Sequence, residues 1–156
     1  MEIVSKSSRD TQEIAGDLAK NIIQKSGPSV IALYGDLGSG KTTFVQFFAE
    51  ALGVREKVLS PTFVIIKTFG LNVRTYADQA RINADKFKCK KLVHIDTYRL
   101  KSAKDLIKLG FNEMLKDKEN IILIEWPEKI ERYLPKDAIK IHFETISEKE
   151  RKLTIE

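Results

Sequence analysis

The 156-residue chain has one cysteine, Cys89, and two histidines, His94 and His142. A lone cysteine makes no internal disulfide, and two histidines on separate predicted strands make no cluster of soft metal ligands. Neither device is needed, because a chain of this length buries well over half of its unfolded surface in one core. Long apolar runs are also missing. The longest, Val30 to Tyr34 and Ile121 to Ile124, fall far short of the roughly 18 residues of a membrane span. Residues 1–9 contain no apolar signal-like stretch, so secretion is not expected and the cytoplasm is the expected compartment. Repeats, linkers and low-complexity tracts are absent too, which leaves a single domain over residues 1–156 as the expectation. Cys89 lies among Lys88, Lys90 and Lys91, a setting that predicts a lowered thiol pKa. No base or orienting partner for it is visible nearby, so catalysis is not expected there.

Hydrophobic residues make up 42% and charged residues 31%, which suits one soluble globular domain. The net charge is +5, and it is confined to one place. Between Lys67 and Lys91 there are seven basic residues (Lys67, Arg74, Arg81, Lys86, Lys88, Lys90, Lys91) and two acidic ones (Asp78, Asp85), while the rest of the chain carries twenty of each sign.

Asp10 with Glu13 three residues later, followed by Ile14, Leu18 and Ile22 at helical spacing, predicts a capped amphipathic helix that stops at Gly27-Pro28. Val30 to Tyr34 reads as a buried strand, and a glycine-rich turn leads from it into a helix from about Lys41 to Leu52, closed by Gly53. Thr62 to Phe69 and Leu92 to Tyr98 are β-branched and aromatic runs that predict strands. Ser102 and Asp105 stand at capping-box spacing before a helix that breaks at Gly110 and resumes to Lys116. Ile121 to Glu125 is another buried strand, Pro127 suits the start of a short helix that ends before Pro135, and Ile139 to Phe143 and Leu153 to Ile155 read as late strands. Strands alternating with helices mean an α/β sandwich.

Gly35-x-x-x-x-Gly40-Lys41-Thr42 matches the phosphate-loop pattern G-x-x-x-x-G-K-[ST]. Such a match arises by chance in a chain this long on the order of 1% of the time or less, and here it follows a buried strand and opens a helix, the setting it requires. Glycines let successive backbone N–H groups turn inward around an oxyanion, and the helix N-terminus adds partial positive charge. Lys41 is expected to reach the β- and γ-phosphates, Thr42 to place its hydroxyl on Mg²⁺, and Thr43 to serve the α-phosphate side. Asp36, inside the loop, is expected to brace it.

A nucleotide-hydrolysing site needs an acid for the metal and a polar group for the attacking water. In a parallel sheet such acids lie at the carboxyl ends of strands. Asp96 and Glu125 meet that condition. Glu125 also admits a plainer reading as a cap for the helix after Pro127. Ser60-Pro61-Thr62 ends a loop and starts a strand, where a rigidly held hydroxyl suits a switch that senses the γ-phosphate; an ordinary turn fits equally well. Trp126 reads first as a core indole and second as a shield over the site.

Tyr34-Gly-Asp-Leu-Gly-Ser-Gly-Lys-Thr-Thr-Phe44, Ser60-Pro-Thr-Phe63, His94-Ile-Asp-Thr-Tyr-Arg99 and Ile124-Glu-Trp-Pro127 occur in the order of the TsaE (YjeE) family of bacterial P-loop ATPases, which the chain resembles over nearly its whole length. The resemblance implies a three-layer P-loop NTPase fold with a mixed, mainly parallel sheet. It implies an ATP- and Mg²⁺-dependent ATPase required for N6-threonylcarbamoyladenosine beside the anticodon of tRNA, acting with a TsaD–TsaB complex that performs the transfer itself. By motif, Leu37, Gly38, Ser39, Gly40, Lys41, Thr42 and Thr43 would hold the phosphates, Thr42 and Glu125 the Mg²⁺ with Asp96 as a further metal candidate, Asp96 would be needed for hydrolysis, and Thr62 would belong to the switch. Ser8 to Thr11 and Arg151 fall where the family contacts the rest of the nucleotide.

One departure stands out: family members join the S-P-T-F and H-x-D strands by a short hairpin turn, and here about 20 residues, Gly70 to Lys91, intervene, with Tyr76 to Lys86 as a possible helix. That basic hairpin insertion carries the net charge. It reads as a tRNA-contacting surface, as a docking element for the partner proteins, or as a solvated extension. Slow turnover is expected without the partners, since Arg99 is the one evident candidate for an arginine finger. Two rival functions remain at this point: a small-molecule kinase with Arg74 and Arg81 on a lid, and a nucleotide-dependent RNA-binding module.

Overall fold

The computed structural model describes residues 1–23, 29–59, 65–72 and 89–156. Its described strands form one seven-stranded sheet in the order β1-β7-β6-β2-β5-β4-β3. These are β1 (Glu2–Ser5), β2 (Ser29–Gly35), β3 (Ile66–Gly70), β4 (Lys91–Asp96), β5 (Asn120–Glu125), β6 (Ile139–Thr145) and β7 (Arg151–Ile155). The four central strands, β6, β2, β5 and β4, run parallel. Antiparallel strands close both sides, β3 on β4, β7 on β6 and β1 on β7.

The central strands are continuous apolar runs because both of their faces are covered. In β5, Ile121 and Leu123 face a core shared with α1 (Ser8–Ile23) and α2 (Lys41–Ala51), including Ala19, Phe44 and Phe48. The alternate residues Ile122 and Ile124 face a second core with Leu106 of α3 (Ala103–Lys108), Phe111 of α4 (Phe111–Lys116) and Ile130 of the 3-10 helix Pro127–Tyr133. Helices on both faces of a mixed sheet make three layers, as expected.

Several local predictions hold with changed details. The first helix begins earlier than Asp10: the Ser7 hydroxyl accepts from the Asp10 N–H at 3.2 Å, and the Asp10 carboxylate accepts from the Lys6 N–H at 2.7 Å and the Ser7 hydroxyl at 2.7 Å. Asp10 is thus the acidic partner of a cap at Ser7, and those bonds lower its pKa. Its stop at Gly27-Pro28 lies outside the described residues. The capping box of Ser102 and Asp105 is present, and Gly110 at φ 87° separates α3 from α4. Strand β1 has no counterpart in the sequence reading, because four residues at a sheet edge carry too little pattern to register.

Gly70 and Lys91 are antiparallel partners, so the described ends of the insertion leave from a hairpin. The suggested helix at Tyr76 to Lys86 falls outside the described residues. Part of the segment's charge is met locally: Lys90 pairs with Glu119 at 2.5 Å and Lys91 with Asp117 at 3.5 Å. Cys89 corrects the sequence reading. It is fully buried, and burial first, then the Glu119 charge, raises its thiol pKa rather than lowering it. The lysines beside it in sequence do not set its surroundings, because a buried side chain is governed by what packs on it.

Gly35 ends β2 at φ 135°, and a Cβ there would stand 2.5 Å from the Phe143 carbonyl oxygen on β6. Two observations are therefore expected. Gly35→Ala will lower unfolding stability by about 2 kcal/mol or more, the range for overpacking combined with backbone strain, in a urea titration; an unchanged midpoint would contradict the contact. Cys89 will react with a disulfide reagent only after unfolding, and stoichiometric labelling of the native protein within minutes would contradict its burial.

Candidate functional site

The phosphate loop leaves the carboxyl end of β2, the middle strand of the sheet, and enters α2. Gly38 at φ 78° and Gly40 at φ 104° use backbone conformations that side chains resist. The Ser39 N–H donates to the Asp36 carbonyl at 3.1 Å, and the Phe44 N–H to Gly40 at 2.9 Å. Asp36 joins the loop's hydrogen bonds through its backbone carbonyl rather than its carboxylate. Lys41 donates to the carbonyls of Gly35 at 2.7 Å and Asp36 at 2.8 Å, and its ammonium stands 3.8 Å from the centre of the Trp126 ring. Burial lowers the Lys41 pKa, and the charges of Glu125, Glu128, Asp36 and Asp96 oppose that shift. A cation drawn out of water and held by carbonyls and an aromatic face gains strongly from an anionic partner.

Strand alternation decides which acids meet the loop. On β5, Ile121 and Leu123 point toward α2, and so does Glu125 two residues on. On β4, Leu92 points the same way, followed by His94 and Asp96. Asp96 and Glu125 are register partners on these parallel neighbours. The Thr42 hydroxyl, in the first turn of α2, donates to the Glu125 carboxylate at 2.8 and 3.0 Å. His94 Nε2 meets Glu125 Oε1 at 2.8 Å. Asp96 accepts from the Tyr98 N–H at 2.9 Å. Glu125 therefore does not serve as a cap for the following helix; it is 2% exposed and turned to Thr42.

Trp126 departs from the expectation of a core indole. It is half-buried, with the only positive φ among the described non-glycine residues, 60°. A tryptophan in this conformation costs on the order of 1–3 kcal/mol unless its surroundings impose it. They do: its backbone N–H donates to the Leu33 carbonyl at 3.2 Å, the Thr97 hydroxyl donates to the carbonyls of Trp126 and Glu125, and its ring meets Tyr98 at 4.9 Å. The turn puts the indole over Lys41.

Beside the loop lies a cleft of about 370 Å³, lined by Ser8, Thr11, Ser39, Gly40, Thr43 and Arg151 together with Lys6, Ser7, Phe143, Glu148, Lys149 and Leu153. Thr11 shares a 2.7 Å hydrogen bond with Ser5, and Arg151 donates to Ser147 at 2.7 Å. Thr11 and Arg151, far apart in sequence, thus border one cavity with the phosphate loop. Leu37 is 81% exposed at the loop tip. Thr62 lies outside the described residues. His94, Thr97 and the lining residues Ser7 and Phe143 were not anticipated; His94 was legible through its position two residues before Asp96, on the same strand face.

Among the described residues no group of three or more His, Cys, Asp or Glu is arranged to hold a metal. Thr42 and Glu125 offer hard oxygen donors from two elements, which fits Mg²⁺, an ion held by one or two carboxylates together with the phosphates of its substrate. No helix among the described residues is long and apolar enough to cross a membrane.

A family model described as threonylcarbamoyl adenosine biosynthesis protein TsaE matches residues 5–153. The chain is 33% identical to the tRNA threonylcarbamoyladenosine biosynthesis protein TsaE of Aquifex aeolicus, over 99% of this chain and 94% of that one. It is 35% identical to the Bacillus subtilis protein of the same name, over 80% of this chain and 67% of that one. The crystal structure of YdiB from Bacillus subtilis superposes with a TM-score of 0.72 and 28% identity, covering 99% of this chain and 83% of that one. With the motifs, the three-layer sheet and the match over residues 5–153 in agreement, the chain belongs to the TsaE family.

Proposed function

We propose that this chain binds ATP with Mg²⁺ and hydrolyses it to support the N6-threonylcarbamoyladenosine modification of tRNA beside the anticodon, in the cytoplasm, without carrying out the transfer. The observation that carries the reading is the Thr42–Glu125 contact: a hydroxyl from the phosphate-loop helix and a carboxylate from a strand end, 2.8 Å apart. The names of the relatives support the pathway, and the loop supports the nucleotide.

In this reading the loop amides from Leu37 to Thr43 and the α2 N-terminus cradle the phosphates, and Lys41 exchanges its carbonyl partners for phosphate oxygens. Thr42 and Glu125 would hold Mg²⁺, which supplies neutralisation of charge on the β- and γ-phosphates. Asp96, beside Glu125, accepts a proton from the attacking water or orients it. The cleft between Thr11 and Arg151 takes the remainder of the nucleotide, and Thr62 senses the γ-phosphate. The TsaD–TsaB complex is the partner that completes the site and uses the hydrolysis cycle. The excess of basic residues in the insertion attracts tRNA phosphates.

Phosphate release measured with and without TsaD–TsaB and tRNA tests this. Release is expected to be slow alone and stimulated by the complex, with Lys41→Ala and Glu125→Ala each lowering it by about 100-fold or more. Fast, unstimulated release removes the coupling to the complex, and release that requires a small acceptor makes the protein a kinase. For the insertion, changing Arg74, Arg81, Lys86 and Lys88 together to Ser should reduce the salt dependence of tRNA binding, by roughly one power of salt concentration for each cation that meets a phosphate. An unchanged slope removes tRNA as its target.

A further inference from the structure

His94 is fully buried in β4, yet the phosphate loop, the acids and the cleft can all be described without it. Among the described residues its Nε2 has one hydrogen-bond partner, Glu125 Oε1 at 2.8 Å, and its Nδ1 is buried with none. A buried polar atom left unsatisfied costs stability, and an aliphatic side chain at this position would avoid that cost. What the imidazole provides in return is a donor aimed at a carboxylate that only accepts.

The two donors on Glu125 come from different elements. Thr42 belongs to the helix above the strand end, whereas His94 belongs to the neighbouring strand, and both side chains lie on the α2 side of the sheet. Among the described residues, Oε1 receives both donors and Oε2 receives Thr42 alone. A carboxylate with one donor can turn about its Cγ–Cδ bond; with a second donor on Oε1 the plane is set.

We propose that His94 is a positioning residue, whose Nε2–H fixes the Glu125 carboxylate toward Thr42 and thereby sets the affinity of this pair for a divalent cation. The inference rests on the nucleotide-binding reading above. Partners of this kind, one bond removed from a ligand, typically change metal affinity by about 10- to 100-fold when lost.

Side-chain geometry offers a matched test. In His94→Gln the amide nitrogen reaches the place of Nε2, and in His94→Asn it reaches only that of Nδ1. Mn²⁺ affinity is measured by electron paramagnetic resonance in the presence of ADP, and ADP affinity is measured separately in EDTA, for both variants and the unaltered chain. The expected result is a loss in Mn²⁺ affinity of about 10-fold or more for His94→Asn, near-normal affinity for His94→Gln, and unchanged ADP affinity in EDTA for both. Equal Mn²⁺ affinity in all three proteins overturns the proposal. So does a fall in metal-free ADP affinity as large as the fall in Mn²⁺ affinity, since that is what general disruption of the core produces. Should His94→Asn fail to fold, His94→Phe replaces it with the same outcomes. If the unaltered chain binds ADP no better with the metal than without, the nucleotide–metal reading itself falls, and this assignment with it.

Discussion

Glu125 is the group the rest of the site depends on. A carboxylate 2% exposed carries a desolvation penalty of several kcal/mol unless donors meet it. Its donors come from elements that only the folded sheet brings together: Thr42 lies 83 residues before it and His94 lies 31 before it. Holding the carboxylate therefore ties α2 to β5 and β4 at one point. The same contacts that make its burial tolerable also aim it into the phosphate loop.

Around that point the backbone is unusually constrained. Thr97 links the end of β4 to the end of β5 through the carbonyls of Glu125 and Trp126, and Lys129 donates to the carbonyls of Tyr98 and Leu100 at 2.8 and 2.7 Å. The Thr97 bond, with that of the Trp126 backbone N–H to Leu33, holds Trp126 in a left-handed conformation that brings its ring to Lys41. The two acid-bearing strand ends thus act as one rigid platform, with the glycine loop on one side and the cleft of Thr11 and Arg151 beyond it. Preorganisation of this kind lets charge be stabilised without reorganising the protein.

Most elements were legible because their signals are local. The Ser102–Asp105 cap, the Gly110 break and the Gly53 stop involve residues within a turn of one another. The central strands were visible as apolar runs. The Asp10 cap was displaced by three residues because Asp10 satisfied the pattern in two registers, and only the bonds to Ser7 and Lys6 select one. Cys89 differs from its sequence expectation because its spatial neighbours are not its sequence neighbours, and Trp126 because hydrophobicity alone favours the core. β1 leaves no sequence signal at four residues long, with its pairing on β7 more than a hundred positions away.

The sequence by itself determined which chemical groups are present and in what local conformations: a glycine loop, a lysine and a threonine at a helix start, and two acids at strand ends. It also located the excess charge in one insertion. Tertiary structure alone decided that Glu125 bonds to Thr42, that His94 supports it, and that Trp126 covers Lys41. Those outcomes depend on strand order and register. Loop, turn and cap signals act over a few residues, whereas register is set by burying both faces of a whole sheet at once.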